Sequence, residues 1–152
     1  MKQALNVNFQ PLYRIAQYLA LVMLILIPVQ ILVYVISPPP NTVIGFFELY
    51  HQNPLLGLLN LDFLYLFNNL IIVILYLALF VLLFQEKPVT VLLAFIVGLI
   101  GIACYYPSNP AFEMLTLSHR YFQALPEQKA LYLAAGEALM VGYTGTTFDV
   151  YY

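Results

Sequence analysis

Four acidic residues lie within or beside long apolar runs and are the side chains best placed to do chemistry: Asp62, Glu113, Glu137 and Asp149. On insertion scales an Asp at the centre of a membrane helix costs about 2.5–3.5 kcal/mol, so such residues usually face other helices or a water-filled cavity. There they often mark proton or solute paths. We therefore expect Asp62 and Glu137 to lie inside a helix bundle rather than against lipid.

Hydrogen-bonding neighbours accompany both acids if the surrounding segments are helical. At about 100° per residue, Asp62, Tyr65 and Asn69 fall on one side of a helix, and Thr144 shares the side of Glu137. The candidate polar cluster or ligand-binding set is therefore larger than the acids alone: Asp62, Tyr65, Asn69, Glu113, His119, Arg120, Glu137 and Thr144. The same cluster could instead lock helix packing, and the sequence leaves both roles open.

An intramembrane hydrolase would need a nucleophile near the lipid interface, and the residues available for it are Glu113, Ser118 and His119. Ser118 and His119 are neighbours in sequence, about 100° apart on a helix, so they cannot pair as nucleophile and base. The sequence also lacks H-E-x-x-H, G-x-S-x-G, P-loop and paired C-x-x-C motifs. The enzyme hypothesis is therefore the less favoured one, and no catalytic residue or cofactor is predicted.

Glu48 and His51 have the E-x-x-H spacing of a helical metal pair. A single pair without a second His or Glu set is weak evidence, and the aromatic residues around it favour an interfacial segment. We therefore predict no metal site here.

Composition assigns the chain to the helical membrane proteins. Hydrophobic residues make up 63% of the sequence and charged residues 8%, against about 25% charged residues in soluble domains. A net charge of −2 without a basic cluster excludes nucleic acid as a partner. The single cysteine, Cys104, lies in an apolar run and is expected to be a small buried hydrophobic residue.

The lengths of the apolar runs determine the predicted elements, since a membrane-crossing helix needs about 20 residues. We predict an all-α polytopic bundle in one domain, residues 1–152, with about four spans near 12–36, 54–84, 88–106 and 129–152. The segment 110–125 is too short to cross and is predicted to be an interfacial or re-entrant helix. Small-residue stripes predict close helix packing: Ala94, Gly98 and Gly101, then Ala134, Ala138, Gly142, Gly145 and Asp149.

Basic residues predict the orientation. Lys2, Arg14 and Lys87 lie on one side of the predicted spans, Arg120 and Lys129 lie on the other, and the first connection has no basic residue. The positive-inside rule then predicts a multi-pass protein of the cell membrane with a cytoplasmic N-terminus.

Three segments carry a resemblance to a known family: 60–69 (NLDFLYLFNN), 109–121 (NPAFEMLTLSHRY) and 133–148 (LAAGEALMVGYTGTTF). The chain resembles the bacterial multi-spanning membrane proteins of the domain of unknown function 4386 type. The resemblance implies about six spans, and hence two further spans beyond residue 152. It implies no activity.

Two classes of function remain beside the hydrolase. The first is a transport-like bundle that binds a small solute, a proton or a lipid at an inward polar cluster. The second is a structural or accessory membrane subunit. The expected partners are the lipid bilayer, a small solute or lipid ligand, and further transmembrane helices of a longer chain.

Overall fold

A computed structural model describes residues 8–145, and within them all regular secondary structure is helical. The elements in chain order are α1 (Gln10–Ile36), α2 (Val43–Gln52), α3 (Pro54–Asn60), α4 (Phe63–Leu83), α5 (Pro88–Ser108), α6 (Ala111–Gln123) and α7 (Pro126–Thr144). The predicted all-α bundle is confirmed.

Three helices of the described residues are long and apolar enough to cross a membrane. They are α1, α4 and the run Pro88–Gln123, in which α5 supplies the apolar part and α6 carries the polar residues. Most of their side chains face outward rather than into the chain, as expected for helices surrounded by lipid. The chain therefore has the architecture of a helical membrane protein.

The prediction of one continuous helix over 54–84 is wrong. Helix α3 ends at Asn60 and α4 begins at Phe63, with Asp62 between them in the left-handed conformation at φ 59° and ψ 31°. This conformation costs most L-residues about 1–2 kcal/mol, and Asp is among the few that adopt it readily. Helix α4 alone has 21 residues, enough at 1.5 Å per residue to cross a hydrocarbon core of about 30 Å.

The fourth predicted span, 129–152, corresponds to α7 over its first part. Helix α7 begins at Pro126 and is not among the three span-length apolar helices of the described residues. The end of that prediction, including Asp149, lies outside the described residues.

Helices α2, α3, α6 and α7 pack together at one end of the long helices. The buried core here consists of Phe46, Phe47, Tyr50, Leu61, Ala111 and Met114, and partly buried residues of α7 pack against it. Tyr50 donates a hydrogen bond to the Ala111 carbonyl at 2.8 Å, and Ser118 donates one to the Phe47 carbonyl at 2.8 Å. Helix α6 lies where the non-spanning helix 110–125 was predicted, held against the bundle by these buried contacts.

Two glycines allow close packing between helices. A Cβ at Gly98 would lie 2.5 Å from the Tyr76 ring of α4, while Ala94 of the same predicted stripe is exposed. On α7 the close contact is made by Gly136, where a Cβ would lie 2.5 Å from Val43 of α2. In the predicted α7 stripe, Ala134 and Ala138 are exposed and a Cβ at Gly142 would meet nothing within 4 Å, so these residues make no close contact within the described chain.

Candidate functional site

The carboxylate of Asp62 joins three parts of the fold. Its side chain is 7% exposed. Tyr34 of α1 donates a hydrogen bond to Oδ1, and Tyr143 of α7 donates one to Oδ2. The break between α3 and α4 thus places one acid between hydroxyl donors from two different helices.

One face of helix α1 contacts the break between α3 and α4. Gln30, Tyr34 and Ser37 follow the i, i+4, i+7 spacing that aligns side chains along a helix. Gln30 Nε2 donates to the Leu59 carbonyl at 2.9 Å, and Ser37 Oγ accepts from Asn60 Nδ2 at 3.4 Å. Tyr34 lies between these two contacts, so α1 is fixed against the break on both sides of its bond to Asp62.

The break itself is stabilised from the far side by Asn109, which precedes α6. Its Nδ2 donates to the Leu61 carbonyl at 2.8 Å, and its Oδ1 accepts from the Ala111 amide at 3.1 Å. Carbonyl groups released at a helix end must find other partners when they are buried. Gln30 and Asn109 supply these partners for Leu59 and Leu61.

A cavity of about 380 Å³ adjoins Asp62. It is lined by Tyr34, Pro39, Pro40, Phe46, Asn60, Asp62, Tyr65, Met140, Tyr143 and Thr144. These described lining residues include one acid and four aromatic side chains, but no Lys, Arg or His. Pro39 and Thr144 are exposed and lie at the rim. The cavity therefore combines one negative charge with aromatic and apolar walls.

Part of the predicted cluster meets at this cavity, since Asp62, Tyr65 and Thr144 all line it. Asn69 is fully buried in α4 and is not a lining residue. The expectation that Asp62 lies inside the bundle is confirmed.

Glu137 departs from the prediction, because its side chain is exposed in the described chain. The neighbouring Gly136 faces α2, and successive residues on a helix point about 100° apart. The close approach of α7 to α2 at Gly136 therefore turns Glu137 outward. Thr144 consequently belongs to the cavity of Asp62 and not to a second buried acid.

Glu113 and Arg120 line a different feature, an open groove of about 650 Å³ between α6 and α7. Its other lining residues are Phe112, Thr116, Leu117, Ala135, Ala138 and Leu139. Glu113 lies in the first turn of α6 and Arg120 in its last turn. At these positions each charge interacts favourably with the helix dipole. His119 is exposed and lines neither the groove nor the cavity.

Ser118 and His51, which were considered for hydrolysis and for a metal pair, have structural partners. Ser118 is fully buried and bonded to the Phe47 carbonyl, while the adjacent His119 is exposed. His51 stacks on Phe122 with ring centroids 4.1 Å apart. Among residues 8–145, no group of three or more His, Cys, Asp or Glu side chains is placed to hold a metal ion.

Tyr50 is a structural hydrogen-bond donor. Burial raises the pKa of its hydroxyl well above the ordinary value of about 10, and the charge of Glu113 adds to this. The group therefore stays protonated and donates to the Ala111 carbonyl.

Sequence reasoning missed Tyr34, Tyr143 and Asn60 as members of the site. The chain has 13 tyrosines, and tyrosine content alone does not single out two of them. The i, i+4, i+7 spacing of Gln30, Tyr34 and Ser37 inside an apolar span was the available signal for α1. Tyr143 offered no comparable signal.

Comparisons with protein-family models, with curated proteins and with solved structures found no match.

Proposed function

We propose that this chain is a membrane-embedded binding protein of the transport type, whose cavity beside Asp62 holds a small solute. The observation that carries the proposal is the buried Asp62 carboxylate, held by Tyr34 and Tyr143 at the wall of a 380 Å³ cavity. Ligand pockets commonly measure about 300–1,000 Å³ and combine apolar walls with a few placed polar groups.

The absence of a basic lining residue supports binding over a purely structural role. A charge removed from water is costly unless it is paired. Tyr34 and Tyr143 donate hydrogen bonds but bring no positive charge, and no described lining residue does so. A solute in the cavity can supply the missing interaction.

The helix break supports a binding site at the end of α4. Irregular backbone in membrane proteins is tolerated where it is covered by protein or lines a cavity. Here the break at Leu61 and Asp62 lies between α1 and α7. A ligand that changes the Asp62 bonds would alter how these two helices are held together.

A structural or accessory subunit is the second candidate, and the outer face of α7 favours it. Ala134 and Ala138 are exposed, and Gly142 has open space beside it. Small residues of this kind let another helix approach closely in a membrane. The further spans implied by the resemblance to the domain of unknown function 4386 proteins would be suitable partners for this face.

Native mass spectrometry of the purified full-length chain tests the proposal through Asp62→Asn, with Glu137→Gln as the matched control at an exposed acid. We expect small-molecule adducts on the wild type and on the control, and about tenfold fewer on Asp62→Asn because a charge-assisted contact is lost. Thermal unfolding should show that Asp62→Asn stays folded. Equal amounts of adduct on all three proteins would favour the structural candidate. The same conclusion would follow if the wild type carried no adduct and Asp62→Asn did not fold.

A further inference from the structure

We infer that the solute bound beside Asp62 is a protonated amine, that is, an organic ammonium group with at least one N–H. This inference rests on the proposed function, because it names the ligand class of the same cavity. It is carried by three features of the lining: its charge, its aromatic residues and one buried acceptor.

The charge of the lining residues favours a cationic ligand. Asp62 is the only formally charged residue among the described lining residues. Each of its carboxylate oxygens accepts one tyrosine hydroxyl, and a carboxylate offers about four acceptor positions in total. Asp62 can therefore accept a further donor from the cavity, and a positively charged donor gives the strongest bond.

The aromatic residues select an organic cation. Tyr34, Phe46, Tyr65 and Tyr143 all line the cavity. A cation within about 6 Å of an aromatic ring is attracted by the negative charge on the ring face, and this attraction is the usual basis of ammonium recognition. Met140, Pro39 and Pro40 add apolar surface that suits a short carbon chain.

The donor set does not suit a bare metal ion. Calcium takes about six to eight oxygen ligands at roughly 2.3–2.6 Å, and most of them come from carboxylates, carbonyls and water. The described lining provides one carboxylate and mainly aromatic and apolar side chains. Its volume of about 380 Å³ is also many times the roughly 30 Å³ that one water molecule occupies in the liquid.

Asn60 holds a buried acceptor beside the cavity, which a donor N–H group would satisfy. It lines the cavity, is 2% exposed, and its Oδ1 has no hydrogen-bond partner in the described part of the chain. A buried acceptor without a partner is unfavourable, so a ligand that donates to it is favoured. A primary amine can donate to Asp62 and Asn60 together, which a quaternary ammonium group cannot do.

The test compares three probes of matched chain length on the purified full-length protein in detergent: n-butylammonium, n-butanol and n-butyrate. Binding is measured from the thermal unfolding midpoint and from the tyrosine difference spectrum. We expect n-butylammonium to raise the midpoint by about 5 °C at a hundredfold excess over its Kd, with no comparable effect of the other two. Stabilisation by n-butanol or n-butyrate equal to that by n-butylammonium would overturn the inference, as would a response to sodium chloride alone.

Two variants assign the binding to this cavity. Asp62→Asn should weaken n-butylammonium binding at least about tenfold, while Glu137→Gln should leave it unchanged. If Asp62→Asn does not fold, Tyr65→Leu removes one aromatic ring without touching the bonds of Tyr34 and Tyr143, and should weaken binding several-fold. Unchanged affinity in the folded variants would overturn the inference.

The source of the amine is tested separately, since a free amine and a lipid headgroup share this chemistry. Nanodiscs that contain phosphatidylethanolamine should weaken n-butylammonium binding if the headgroup occupies the cavity, and nanodiscs of phosphatidylglycerol should not. Equal binding in both indicates a free amine as the ligand. If native adducts depend on Asp62 but n-butylammonium has no effect, the proposed function stands and the amine assignment fails. If neither Asp62-dependent adducts nor n-butylammonium binding is observed, the proposed function and the amine assignment both fail.

Discussion

Tyr34 and Tyr143 donate hydrogen bonds to opposite oxygens of one carboxylate, although they lie on α1 and α7 at the two ends of the described chain. Asp62 accepts both bonds from the left-handed break between α3 and α4. The first and last helices of the described residues are thus connected through one buried acid.

Removal of either hydroxyl should destabilise the fold. We expect Tyr34→Phe and Tyr143→Phe each to lower the free energy of unfolding by about 1.5–3 kcal/mol, the range for hydrogen bonds to a charged group. The double variant should lose less than the sum, because both tyrosines share Asp62. Unfolding in mixed micelles measures all three values. Tyr18→Phe, at a side chain 71% exposed, is the matched control, and losses no larger than its own would contradict the prediction.

Two glycines of α7 should respond in opposite directions to the same substitution. Gly136→Ala places a Cβ 2.5 Å from Val43 and should destabilise the protein by about 1–2 kcal/mol through overpacking. Gly142→Ala meets nothing within 4 Å and should stabilise the helix by up to about 1 kcal/mol. Thermal unfolding of both variants in detergent checks the difference. A loss at Gly142→Ala would instead indicate that another helix covers this face, as the structural candidate requires.

Tyr50 should make the stability depend on alkaline pH. Its pKa is higher in the folded protein than in the unfolded chain, so its stabilising contribution is complete below about pH 10 and is lost as the pH rises further. We expect the free energy of unfolding to fall above about pH 10, and to fall less steeply in Tyr50→Phe. Chemical unfolding at several pH values measures the two slopes. Equal slopes would show that Tyr50 does not contribute, and Tyr18→Phe serves again as the exposed control.

The orientation predicted from the basic residues can be tested with compartment-sensitive reporters fused after Asn41 and after Lys87. The connection after α1 has no basic residue, while Lys87 lies between α4 and α5, so the positive-inside rule places Lys87 in the cytoplasm. A reporter that works only outside the cytoplasm should be active after Asn41 and inactive after Lys87. The reverse pattern would place the N-terminal end of α1 outside the cytoplasm and the Asp62 cavity, at the other end of α1, towards the cytoplasm.

The sequence by itself determined the elements whose cause is local. Runs of apolar residues long enough to cross a bilayer predicted α1, α4 and α5. A helix in lipid must form all of its own backbone hydrogen bonds and can carry few charged side chains. The non-spanning helix predicted over 110–125 corresponds to α6, Ala111–Gln123, because that segment is too short to cross a bilayer. The cost of an acid in lipid predicted the burial of Asp62, but the same argument was wrong for Glu137, which is exposed.

Only the tertiary structure decided where the long apolar run breaks and which side chains meet there. Residues 54–84 contain no proline after Pro54 and no glycine after Gly57, so only Asn60 and Asp62, residue types that favour helix ends, mark the break locally. The backbone carbonyl groups of Leu59 and Leu61 there accept hydrogen bonds from Gln30 and Asn109, which lie far away in sequence. The rotation of α7 was likewise set by the contact of Gly136 with α2, which turns Glu137 outward and Tyr143 towards Asp62. Such choices depend on contacts between distant segments, and helical periodicity carries no information about them.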